Sequence, residues 1–164
     1  MGEAINPWLH VLAATIWVGP QIFLFVAAVP AIRTVEDAQA RARAMRVLTS
    51  RFGYLAWGAM VVLVITGIGN LFEIAPVDPE EIWDLNYGAI FIAKMALTGA
   101  VIVLTALHSF VIGPRMLSMQ ESARDEGEVA SMRRVSIIVS GAGLLLSLGI
   151  LFCAALLDTA FALE

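Results

Sequence analysis

The chain has 164 residues, of which 60% are hydrophobic and 15% charged, with a formal net charge of −4 and a mean hydropathy of +0.86. A soluble domain of this size has to cover much of its surface with polar side chains, so this composition excludes one. A single cysteine, Cys153, excludes an intramolecular disulfide.

Four apolar stretches follow one another, over about 8–32, 52–71, 87–112 and 135–157. Each is long enough to cross a hydrocarbon core of ~30 Å as a helix. They predict an all-α polytopic membrane protein, an antiparallel bundle of four transmembrane helices forming a single domain over residues 1–164. The first stretch exceeds a signal-peptide core, has no basic segment before it and shows no small-residue cleavage pattern, so it is expected to remain. Within it, "HVLAATIWVGPQ" places His10, Ala14, Trp17 and Gln21 on one helical face. Gly19-Pro20 predicts a bend at mid-membrane, and Gln21 is positioned to bond a neighbouring helix or the Ile16 carbonyl, which Pro20 deprives of its usual donor. Trp8 reads as an interfacial anchor, whereas Trp17 lies deeper.

After the first span, "VEDAQARARAMRVLTSR" carries Val35, Ala38, Ala42, Met45 and Leu48 at helical spacing, with arginines on the other side. This predicts an amphipathic helix over about 35–50, either lying on the membrane or extending the second span. The nine arginines fall in two places only, between spans one and two and between spans three and four. The connection "EIAPVDPEEIWDLN" between spans two and three has no Lys or Arg. By the positive-inside rule the arginine-rich loops are cytoplasmic and both termini lie outside, as in a bacterial or archaeal inner-membrane protein. Arginines beside a span act as topology signals, and nucleic acid is not expected as a partner. In the outer connection Pro76 and Pro79 make a stiff turn, Trp83 and Tyr87 read as anchors, and Asp78, Glu80, Glu81 and Asp84 read as a solvated acidic loop.

The later spans carry polar stripes of their own. Thr66, Asn70 and Glu73 lie toward the outer end of the second. Lys94, Thr98, Val101, Thr105 and His108 share a face of the third, and Ser136, Ser140, Gly143 and Ser147 share one of the fourth. Small and hydroxyl residues are the ordinary glue of membrane helices. His10, His108 and Lys94 are different, because an ionisable side chain inside a span is costly and therefore tends to be functional. A neutral imidazole can ligate haem iron or copper, so His10 and His108 are the candidate metal ligands. Counted from the outer boundaries of two parallel spans, they stand ~25–30 Å apart in depth and cannot share one ion. Met60 is at a depth that would suit a further ligand near His108. Lys94 is placed to reach Glu73 or Asp158, or to neutralise a haem propionate.

Three segments resemble a known family. "LHVLAATIWVG" is similar to the opening helix of the copper-resistance protein D (CopD) superfamily, which includes the HemJ type of protoporphyrinogen oxidase. "RFGYLAWGAMVVLVITGIGNL" is similar to its second helix. "KMALTGAVIVLTALHSFVIGPRM" is similar to its third, with a lysine ahead of a histidine and a Gly-Pro-Arg exit. The resemblance implies a four-helix core, b-type haem in the HemJ branch and copper tolerance or uptake in the CopD branch. By position it carries the family's first-helix histidine onto His10, and its third-helix lysine and histidine onto Lys94 and His108. Pro20 departs from the pattern, standing where a second small residue is usual.

These observations favour a membrane haem b protein engaged in electron transfer or small redox chemistry. Its cofactor-binding residues would come from His10, His108, Lys94, Trp17, Gln21 and Met60. Two alternatives stand beside it: an accessory subunit of a larger membrane complex and a copper-handling membrane protein. The lipid bilayer, a membrane redox partner and a second copy of the chain are the partners these readings imply.

Overall fold

The computed structural model describes residues 4–74, 86–121 and 126–162, and among them every regular element is helical. The helices are α1 (Ile5–Phe23), α2 (Val29–Arg33), α3 (Ala38–Ile74), α4 (Asn86–Leu107), α5 (Gly113–Glu121) and α6 (Glu126–Ala162). Four helical segments are long and apolar enough to cross a membrane, Ile5–Arg33, Ala38–Asn70, Gly88–Met116 and Gly127–Thr159. The all-α, four-span membrane architecture expected from the hydropathy is therefore present. The acidic connection between the second and third spans, including Trp83, lies outside the described residues.

The chain divides into two compact units, Met1–Asp78 and Pro79–Glu164. The first is built on α1 packed against α3, and the second on α4 packed against α6. Each unit repeats the same plan, a span of 29 residues followed by one of 33. The plan repeats in detail as well. In each unit the first arm widens into a five-residue π turn before a proline: Leu24–Ala28 ahead of Pro30 and His108–Ile112 ahead of Pro114.

Proline explains the widening. Its ring has no N–H and collides with the carbonyl four residues back in a regular α-helix. In the π turns the residue before the proline bonds one position further back, the Val29 N–H to the Leu24 carbonyl and the Gly113 N–H to the His108 carbonyl. Glycine suits position 113, because a Cβ there would lie 3.2 Å from the His108 carbonyl oxygen. Pro20 lies within an unbroken helix from Ile5 to Phe23, and the hydrogen-bond pattern widens at Leu24, ahead of Pro30.

Between the first two spans, α2 stops at Thr34, whose hydroxyl donates to the Ala31 carbonyl at 2.8 Å. Asp37 then starts α3, its carboxylate accepting from the Gln39 N–H at 2.8 Å and the Ala40 N–H at 3.3 Å. The Arg41 guanidinium donates to the Val35 carbonyl at 2.7 Å and holds the connection closed. The amphipathic segment and the second span are one continuous helix of 37 residues, so the arginine-bearing segment extends the span.

Within α1 the buried positions are Ala13, Trp17 and Val18. In α3 they are Ala56, Ala59, Met60 and Thr66, and in the second unit Val101 and Ser147 are almost fully enclosed. Many leucines, isoleucines and phenylalanines are exposed instead, as expected for a surface solvated by lipid tails. Ser147 marks a point where the second unit tolerates no added volume, at 1% exposure. Gly99 faces open space. Overpacking a tight contact costs about 1–3 kcal/mol, so Ser147→Leu should lower the thermal unfolding midpoint in detergent micelles, while Gly99→Leu leaves it near that of the parent.

Candidate functional site

At the start of α1 and the end of α3, four polar side chains meet inside the first unit. The Asn6 amide donates to the Asn70 Oδ1 at 2.6 Å and to the Thr66 carbonyl at 3.2 Å. One helical turn on, His10 Nδ1 lies 2.8 Å from Thr66 Oγ1. A step of four residues along α1 thus answers a step of four back along α3, which is the register of two antiparallel helices in contact.

The Thr66 hydroxyl settles the protonation of His10. Its oxygen is 2.7 Å from the Val62 carbonyl oxygen, a separation at which a hydrogen must lie between the two oxygens. A carbonyl supplies none, so the hydroxyl proton points at Val62 and Oγ1 accepts from His10. Nδ1 therefore carries a proton. In a neutral imidazole the lone pair then resides on Nε2, the atom through which a histidine with an anchored Nδ1–H binds a metal. Thr66 is 4% exposed, which keeps water from competing for this bond.

Close approach of α1 to α3 is what makes the contacts possible. A Cβ at position 69 would stand 2.7 Å from the Asn6 amide nitrogen and 3.0 Å from its oxygen. The Asn6 amide is tied by two hydrogen bonds and cannot yield without losing them. Gly69 is thus required by its neighbour. The His10 ring meanwhile rests against Gly67, its Cε1 3.4 Å from where a Cβ would be.

The remaining predicted residues are distributed as follows. Trp17 is buried at 6% exposure on the face that carries His10, and Gln21 donates from Nε2 to the Trp17 carbonyl at 3.1 Å. Gln21 therefore serves its own helix, and among the described residues it bonds neither a neighbouring helix nor Ile16. Met60 is buried in α3 at 5% exposure, two turns from Thr66 toward the arginine-bearing end. Lys94 is half-buried in α4, where its own carbonyl accepts the Thr98 hydroxyl at 2.8 Å. His108 opens the π turn of the second unit, and its Nδ1 is buried without a hydrogen-bond partner among the described residues. His10 and His108 belong to different units. The described residues contain no group of three or more His, Cys, Asp or Glu placed to hold a metal ion. The side chain of Glu73, a suggested partner of Lys94, lies outside the described residues.

Asn6 and Gly69 were not evident as site residues. Asn6 sits beside Pro7 at the start of a span, where an asparagine reads as part of the interface. The signal that identifies it is the matched spacing of Asn6 with His10 and of Thr66 with Asn70.

The family model described as Copper resistance protein D matches residues 45–157. The match takes in α3 from Met45 onward and both long helices of the second unit, with Met60, Thr66, Lys94 and His108. It begins after α1, so the geometry alone draws Asn6 and His10 into the site, while Trp17 and Gln21 lie further along the same helix. No curated protein and no solved structure matches the chain.

The interlock yields a double-mutant test. Gly69→Ala should destabilise the protein by about 1–2 kcal/mol through displacement of Asn6. In an Asn6→Ala background the same change should be neutral or favourable, because alanine is the better helix former. Unfolding in detergent micelles followed by circular dichroism reads both arms.

Proposed function

The chain belongs to the copper resistance protein D family, and from that premise we propose that it handles copper within the membrane, with His10 Nε2 as the atom that receives the ion. The observation that carries this reading is the His10–Thr66 hydrogen bond at 2.8 Å. It fixes the tautomer and holds the ring against α3. An imidazole held in this way is prepared to bind without first paying for a change of tautomer or rotamer. Imidazole is a competent ligand for copper, and thioether sulfur favours the cuprous state.

Each residue of the cluster has a task in this reading. His10 gives its Nε2 lone pair to the ion, which is cargo. Thr66 holds the Nδ1 proton and orients the ring. Asn6, Asn70 and Gly69 hold α1 and α3 at the separation the bond requires. Met60, six residues from Thr66, stands roughly 9 Å further along α3 by the helical rise, and its buried sulfur is the next soft donor along that helix. The arginine distribution supports an orientation with this end of α1 and α3 outside and the arginine-bearing end in the cytoplasm. A cuprous ion would then meet His10 first and Met60 deeper.

The same bond supports a second reading, in which His10 is an axial ligand of haem b. Axial histidines are likewise oriented through a hydrogen bond from the other ring nitrogen. A bound haem would supply one-electron redox chemistry.

Two measurements on the purified full chain separate the readings. Copper retained after washing with a chelator should be stoichiometric in the parent and lost in His10→Ala. Thr66→Val, which keeps the shape and removes the acceptor, should weaken copper binding by about 10–100-fold. Copper retention unchanged by His10→Ala contradicts the copper assignment. A Soret band in the visible spectrum that disappears in His10→Ala establishes the haem reading in its place.

A further inference from the structure

The end of the first unit that bears the arginines contains an open groove that the copper reading does not use. Its upper part, of about 200 Å³, is bounded by Pro20, Phe23 and Leu24 on one side and by Phe52 and Leu55 of α3 on the other. Its lower part, of about 610 Å³, runs between Ile32 of α2 and the stretch of α3 that carries Ala44 and Val47, with Arg43 among its walls. Leu48 and Arg51 line both parts, so the two parts adjoin along α3, the upper facing the end of α1 and the lower facing α2. The π turn at Leu24–Ala28 lies between them.

We propose that this groove is a binding site for one anionic phospholipid, with an acyl chain in the apolar upper part and the phosphate on Arg51. Three features select that occupant. The walls from Pro20 to Leu55 are hydrocarbon and aromatic, and lie within a segment that crosses the membrane. Arg51 is exposed at the junction of the two parts, at the end of the apolar walls nearer the arginine-bearing segment. Arg43, two turns away on the same face of α3, meets the outer part of the headgroup, and among the described residues no carboxylate pairs with either guanidinium. Arginine presents a fork of donors that suits phosphate oxygens, and basic pockets between helices at this depth are a recognised way to hold acidic lipids. Topology alone asks only that arginines lie somewhere in the loop. Arg41, by contrast, spends its guanidinium on the Val35 carbonyl.

Native mass spectrometry of the delipidated full chain, offered equal amounts of phosphatidylglycerol and phosphatidylcholine, tests the site. The parent should retain phosphatidylglycerol in preference. In Arg43→Gln/Arg51→Gln that preference should fall about tenfold, whereas Arg133→Gln/Arg134→Gln, an equal loss of charge on α6, should keep it. Leu55→Trp fills the groove with both arginines in place and should reduce bound phosphatidylglycerol by itself. This second arm decides the matter if the arginine pair does not fold. Equal retention of the two lipids by the parent overturns the proposal. So does an equal loss in the α6 pair, or phosphatidylglycerol retention that Leu55→Trp leaves unchanged.

Discussion

Hydrocarbon offers no hydrogen-bond partners, so a polar atom carried into the spans of this protein is costly unless the chain itself supplies a partner. Much of the local structure answers to that constraint. Thr15, Thr66, Thr98 and Ser147 return their hydroxyls to carbonyls one turn back in their own helices, and Gln21 does so with its amide. The two prolines near the ends of the first and third spans remove donors. The helix compensates by widening locally, so that the residues before them still find a carbonyl.

The cluster of Asn6, His10, Thr66 and Asn70 is where the constraint ties one helix to another. Asparagine and histidine have too many polar atoms to be satisfied within one helix, so they bond across to α3. Those bonds demand a close approach that only glycine at position 69 allows. Because the Thr66 hydroxyl proton is committed to Val62, the bond from His10 has one possible direction. A packing requirement thereby sets the orientation of an imidazole, with Nδ1 as the donor to Thr66. This is the link between the fold of the first unit and the copper chemistry proposed for it.

The architecture was legible in the sequence because membrane spans are announced by length and composition, signals that survive any detail of packing. The inward face of α1 was legible in part, since Trp17 is buried there while His10, Ala14 and Gln21 are half-buried and Ala13 and Val18 are enclosed beside them. The π turn ahead of Pro30 was not legible, because a proline's effect depends on whether its neighbours can widen. Pairings between helices were harder to read. Nothing local distinguishes Asn6 from an interfacial asparagine until its partner on α3 is known, and Gly69 is one of several glycines in apolar sequence. Its importance comes from Asn6, 63 positions away in the chain. The repeat of the π turn before Pro30 and Pro114 was likewise hidden, because the two segments share little beyond the proline and its apolar setting.

The tautomer of His10 is the hinge of the account, and it is directly measurable. Side-chain nitrogen NMR of the metal-free protein, with His10 assigned by comparison with His10→Ala, distinguishes a protonated Nδ1 from a protonated Nε2. The hydrogen-bond geometry predicts that Nδ1 carries the proton and that cuprous ion perturbs Nε2. A proton found on Nε2 in the metal-free protein would contradict it.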